Sequence, residues 1–263
     1  MSTSFRLEDG WGTDTLLRSY VLNLAAFHEA VATALGGRTL RRDDIVAADL
    51  GHPSGYFNSA VLLRPPERIE EVVADIEAFY DGHGSGDVEL WSLWPSPDLT
   101  GRGWELEGHP PLLIRPAGPA PSVPDPAELR IEEVSDAAGV RDWERVAVDG
   151  FPFPDVQPGL PGAIADGRVL ADPRYRLWVG YVEHRPVVIG SMFVDAGVGN
   201  FTLGVTLPDA RRRGYWAAMA RQRLAALPGL PAAALFSDMS RPGAEALGFL
   251  PIVRFTLWRR ARG

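Results

Sequence analysis

The stretch RPAGPAPSVPDPAELR, Arg115 to Arg130, constrains this chain more than any other. Its five prolines lock φ and remove amide donors, so neither a helix nor a central strand can pass through it. It reads as a semi-extended connector. Each side carries its own alternation of strand and helix patterns, which predicts two units in preference to one domain with a long surface loop. The expected division is 1–116, a proline-rich linker at 117–127, and 128–263. With 263 residues, 46% of them hydrophobic, both parts can bury a core.

Before the connector, Leu16, Tyr20, Leu24, Phe27 and Val31 recur at helical spacing and stop at Gly36-Gly37. GYFNSAVLL reads as a strand, PPERIEEVVADIEAFYDGHG as an amphipathic helix, and DVELWSLW and HPPLLIR as further strands. After it, LRIEEV is a short strand and DAAGVRDWERVAVDGF a helix opening on Asp136. FPFPDVQPGLPG is a loop, and ADGRVLADP a turn or short helix. YRLWVGYVEHRPVVIGSMFVD reads as a hairpin turning at EHRP, with NFTLGVTL as the next strand. A helix beginning at GYW, the strand AAALFSD, the short helix RPGAEALGF and a final strand LPIVRFTLWRR complete the chain. The fold class is α/β, with mixed sheets.

The segment TLPDARRRGYWAAMARQRL, Thr206 to Leu224, carries the most chemistry. A strand ends at Pro208, three arginines lead into Gly214, and a helix starts at once. The first turn of a helix leaves amides unpaired, and the macrodipole makes that end positive. Amides from about Arg212 through Tyr215 to Trp216 can therefore hold a phosphate, with Gly214 letting the backbone approach it. Arg211, Arg212 and Arg213 can pair with the same oxygens. The plainer alternative is a solvated basic helix start. Trp216 opens a stripe continued by Met219, Ala220, Leu224 and Leu227, so it reads equally as a core residue and as a ligand contact.

Composition excludes several functions. A formal net charge of −8 argues against a nucleic-acid binder. No apolar run reaches the roughly 20 residues of a membrane span, and MSTSFRLEDG lacks a signal-peptide pattern, so the expected location is cytoplasmic. There is no cysteine, hence no disulfide or thiolate chemistry. All basic side chains are arginine; with the abundant Ala, Gly and Pro this suggests a GC-rich bacterial genome. His28, His52, His83 and His109 are scattered, Glu183 and His184 sit in the hairpin turn, and no spacing suits a metal.

Residues from about Glu128 onward resemble the GNAT superfamily of N-acetyltransferases. The family places arginine or glutamine, two residues, glycine, one residue, then glycine or alanine between its fourth strand and third helix. Here that reads Arg211-Arg212-Arg213-Gly214-Tyr215-Trp216, with SRPGAEALGFLPIVRFTLW matching the family's closing helix, Leu-Gly-Phe and last strand. The resemblance implies an acyl-CoA N-acyltransferase fold with acetyl-CoA as co-substrate and no metal. The pantetheine arm would lie along Val205, Thr206 and Leu207, with Ser237 as a polar contact. The acceptor would be a primary amine of a small molecule or a protein, attacking the thioester directly in a ternary complex. Family members often use a glutamate near the fourth strand and a tyrosine four residues before the closing glycine. NFTLGVT contains no acid, and the tyrosine position is Ala244. Asp155, in the loop over the acceptor site, is the candidate for contacting a cationic amine, with an exposed loop carboxylate as the alternative. The first half resembles the same fold more faintly. LLRPPERIE replaces the glycine turn, so it reads as a degenerate copy in a tandem protein, with an unrelated α/β cap as the alternative. A non-catalytic acyl-CoA-binding or interaction protein is the alternative function, and a homodimer is left open.

Overall fold

The computed structural model describes residues 15–151, 162 and 164–262. In chain order the elements are α1 (Thr15–Leu35), β1 (Arg38–Arg41), β2 (Ile45–Asp49), β3 (Ser59–Leu62), α2 (Ile69–Tyr80), β4 (Val88–Ser92), β5 (Glu105–Gly108) and β6 (Pro111–Arg115). Then follow β7 (Arg130–Glu133), α3 (Ala137–Gly150), β8 (Tyr175–Val182), β9 (Arg185–Asp195) and β10 (Val198–Thr206). The last elements are α4 (Tyr215–Ala225), β11 (Ala232–Leu235), α5 (Arg241–Ala246), β12 (Leu250–Arg254) and β13 (Thr256–Arg260). Two compact units result. One takes the chain up to Leu112 with Val194–Val198 and everything from Val253; the other takes Leu113–Phe193 and Gly199–Ile252.

The first unit is built on a six-stranded sheet in the order β1-β2-β3-β4-β13-β5. Its centre is a β3–α2–β4 crossover with parallel strands, Ala60 opposite Leu90. Helix α2 buries Val72, Val73, Ile76 and Tyr80 against Ile45, Ala60, Leu62 and Leu90. Burying each such aliphatic side chain contributes about 1.5–3 kcal/mol. Helix α1 hides Tyr20, Leu24, Phe27 and Val31 of the stripe its spacing predicts, while Leu16 in its first turn is exposed. Asp49, at the end of β2, is 3% exposed and accepts bonds from Arg38 (2.8 Å) and Arg262 (2.6 Å), tying down the chain beyond β13.

The second unit has a seven-stranded sheet, β12-β6-β11-β10-β9-β8-β7. Strands β7, β8 and β9 run antiparallel. Glu183 and His184, at φ of 48° and 68°, make the β8–β9 turn that the sequence pattern predicts. Asp136 caps α3 by accepting from the Gly139 amide at 2.8 Å. Strands β10 and β11 are parallel but pair only at Gly199–Ala232 and Asn200–Ala233. Beyond those pairs the two strands leave a gap.

The units differ from the sequential division at 117–127. β6, expected to close the first half, lies in the seven-stranded sheet between β12 and β11. The segment LPIVRFTLWRR is two strands, not one, and the second, β13, lies in the first unit's sheet between β4 and β5. The break is Phe255, fully buried, whose amide donates to the Pro110 carbonyl. Each sheet therefore takes one strand from the far side of the connector. Alternation marks a segment as a strand but does not say which sheet receives it. Strands β1, β2 and β5 were not singled out from the sequence; the RTLR and ELEG patterns of β1 and β5 are half charged, as suits exposed edges.

Candidate functional site

The site is the junction from β10 to α4, in the second unit. After Thr206 a short 3-10 turn covers Pro208–Ala210, Arg212 takes φ +64°, and Gly214 takes φ +82° as the N-cap of α4. The two left-handed residues fold Arg212–Gly214 into a tight turn, the kind of backbone concavity that gathers N–H groups around an anion. The first amide with a partner inside the helix is Ala218, which donates to Gly214. Among the described residues, the amides of Arg212, Arg213, Gly214, Tyr215, Trp216 and Ala217 have no acceptor. A cluster of donors at the positive end of an 11-residue helix is an anion site in physical terms.

The three arginines separate into different roles. Arg211 is a structural clamp: its Nε donates to the Thr206 carbonyl at 3.2 Å and its Nη2 to the Gly150 carbonyl at 3.0 Å. Arg212 and Arg213 are exposed. Arg213 lines a cavity of about 190 Å³ beside the turn, with Arg185, Val187, Asp209 and Tyr215 among its walls. Arg185 is already paired with Asp209 at 2.7 Å. Tyr215 is buried, and its hydroxyl donates to Glu128 at 2.8 Å.

Val205, Thr206 and Leu207 are buried, and two backbone groups there are engaged: the Thr206 carbonyl by Arg211, and the Leu207 amide by Val187. Ser237 is exposed and bonds to Ser240 at the start of α5 (2.9 Å between hydroxyls), so it caps its own turn. Asp155 lies outside the described residues.

Trp216 is half-buried, in the gap between β10 and β11. Its ring stands edge-on to Phe236, 6.4 Å between centroids. A Cβ placed on Gly204 of β10 would lie 3.5 Å from the indole Nε1, and one on Gly243 of α5 would lie 3.1 Å from its Cζ3. The indole is thus bounded by β10, the end of β11 and α5. Phe236 stacks edge-on to Phe249, and Phe249 to Phe201. These rings line the gap.

Two further buried ionic groups stand on α3 and α4, and neither was singled out from sequence. Glu144 of α3, 4% exposed, accepts from the amides of Gly162 and Ile164 at 2.7 Å each, and so holds the chain after the loop. Arg223 of α4 is 1% exposed, its guanidinium 4.2 Å above Phe201. Its signal was present: it follows Trp216 by two turns, inside the apolar stripe where an arginine is out of place.

A GCN5-related N-acetyltransferase from Kribbella flavida superposes with a TM-score of 0.64 over 91% of this chain and 96% of its own, at 19% identity. A tandem GNAT protein from the clavulanic acid biosynthesis pathway gives 0.53 over 96% of both chains, at 13% identity. A GCN5-related N-acetyltransferase from Sphaerobacter thermophilus gives 0.52 over 83% and 76%, at 14% identity. The fold is that of the GCN5-related N-acetyltransferases. No family model matches the sequence, nor does any curated protein. Within this acetyltransferase fold, β10, α4 and β11 form the parallel crossover that carries the candidate site, and β3, α2 and β4 repeat the parallel crossover in the first unit. The repeat lacks the glycine turn: α2 begins after Arg68, which makes no side-chain cap. At the position where the acetyltransferase pattern has a tyrosine, Ala244 of α5 is fully buried. Among the described residues no cluster of three or more potential metal-ligating side chains occurs, and no helix is long and apolar enough to cross a membrane.

Proposed function

We propose that this protein binds an acyl-CoA, acetyl-CoA in the simplest case, and transfers the acyl group to a primary amine. The observation that carries the reading is the row of unpaired amides from Arg212 to Ala217 at the N-terminus of α4. The pyrophosphate of CoA sits on those amides, with Arg212 and Arg213 neutralising charge from outside. Gly214 keeps that surface free of a side chain. The thioester then points along β10 into the gap toward Gly204.

The chemistry left to the protein is positioning. An amine held about 3–3.5 Å from the thioester carbonyl attacks directly, and orientation alone lowers the barrier substantially. The nitrogen forms a bond to the acyl carbon as the carbon–sulfur bond breaks, and the amine proton passes to water or to the thiolate. Neither NFTLGVT nor Ala244 supplies the family's acid or base. The deprotonated amine is then drawn from solvent. Asp155 remains the proposed contact for a cationic acceptor.

A specific observation favours a second reading, in which the fold binds acyl-CoA without turnover. The Trp216 indole occupies the gap that the pantetheine arm must enter. Incubating the protein with acetyl-CoA and a panel of primary amines, with thiol release as the readout, separates the two. Amine-dependent thiol release supports transfer. Saturable acetyl-CoA binding with no release above the protein-free rate assigns the second reading.

A further inference from the structure

We propose that Arg223 is an anion subsite: in the gap that Trp216 covers, it takes a carboxylate at the end of a short dicarboxylic acyl chain. The inference rests on the reading that the acyl-CoA pyrophosphate binds at the start of α4.

Arg223 is a fully buried cation whose partners do not account for it. One guanidinium nitrogen, Nη1, donates to the Ser191 carbonyl at 3.1 Å, and the Phe201 ring lies beneath the plane at 4.2 Å. Among the described residues the Nε has no partner, and no carboxylate pairs with the group. Burial alone acts on it, pulling its pKa down to about 9, so it remains charged at neutral pH. An unpaired charge taken out of water is strongly unfavourable, and a chain that retains one there either neutralises it with a ligand or carries the cost unused.

The surroundings are shaped for the guanidinium. Two glycines face it from neighbouring strands. A Cβ on Gly190 would stand 2.8 Å from Nε, and one on Gly204 would stand 3.1 Å from Nη2. The same point on Gly204 is 3.5 Å from Trp216 Nε1, which places the indole beside the guanidinium. Gly204 immediately precedes Val205–Leu207, the segment along which the arm of the thioester runs from the phosphate turn. A chain following β10 past those residues reaches the indole and the guanidinium together at Gly204. The planar, forked donor set of arginine matches a carboxylate in two-point contact, and a low-dielectric setting strengthens that pair. An acetyl group has nothing to offer this site; a chain ending in a carboxylate does. Rotation of Trp216 out of the gap admits it.

The test uses the whole protein and two stable thioethers, S-(2-carboxyethyl)-CoA and its uncharged isostere S-(2-carbamoylethyl)-CoA, with CoA as reference, titrated by calorimetry at neutral pH. The expected result is that the carboxylate binds wild-type protein at least about tenfold more tightly than the amide. In Arg223→Gln the ratio falls to about one while affinity for CoA is unchanged. The wild-type comparison needs no variant to fold. Equal affinity of the two thioethers for the wild type overturns the proposal and leaves the acyl-CoA reading standing. A ratio that persists in Arg223→Gln overturns it as well. Failure of all three compounds to bind overturns the acyl-CoA reading and the subsite together.

Discussion

Trp216 is a single side chain on which much of the functional reading turns. Amides and helix dipole bind the phosphate, so a large residue two positions past Gly214 leaves that surface intact. Its indole instead fills the space between β10, Phe236 and Gly243. Trp216→Gly is expected to hold or tighten affinity for CoA, measured by calorimetry. A collapse of affinity would show that the indole belongs to the binding surface. His28, on α1, tests a different residue-scale effect. It is buried beside Phe27 and Tyr56, its Nε2 has no partner among the described residues, and burial pushes its pKa down to about 3. The folded value lies below the unfolded value of about 6.5, so the contribution is complete above that pH and lost as pH falls below it. Urea melts between pH 7 and 5 should show stability falling by up to about 1.4 kcal/mol per pH unit from this group. His28→Leu should flatten that slope, and an unchanged slope would locate the dependence elsewhere.

At the scale of elements, the β10–turn–α4 unit was legible from sequence because each signal was local. Pro208, the glycine and the apolar stripe mark a strand end, a turn and a helix face within some twenty residues, and the structure places each accordingly. The internal use of Arg211 was not legible, because its partners at Thr206 and Gly150 depend on how α3 ends. Arg223 was missed for a similar reason: pattern reading assigns a face to a helix but not what that face meets. Gly204 of β10 and Gly190 of β9 make the room for it, which only the packing of α4 on those strands reveals. The unit predicts a specific sensitivity at Gly214, whose φ of +82° suits only glycine at low cost. Gly214→Val should cost about 1 kcal/mol or more of stability and weaken CoA binding by at least about tenfold. Thermal melts and calorimetry on the same variant check both. Unchanged CoA affinity would remove the turn from the site.

Over the whole molecule, the connector announced two units and the chain indeed builds two sheets, but the ownership of strands was hidden. HPPLLIR and FTLWRR are interchangeable as patterns, and only pairing reveals that β6 serves the second sheet and β13 the first. Asp49 reinforces the placement of β13 by holding Arg262 just beyond it. The expected consequence is that residues 1–116 and 117–263, produced separately, each lack an interior strand and give no cooperative melt. Mixing the fragments should restore one. A cooperative melt from either fragment alone would contradict the strand placement. The central claim, that the start of α4 holds the pyrophosphate of an acyl-CoA, is tested most directly by titrating the intact protein with acetyl-CoA in a calorimeter. The account predicts saturable one-to-one binding with a Kd well below about 1 mM, more than about 4 kcal/mol of binding free energy. No heat of binding at millimolar acetyl-CoA would contradict it.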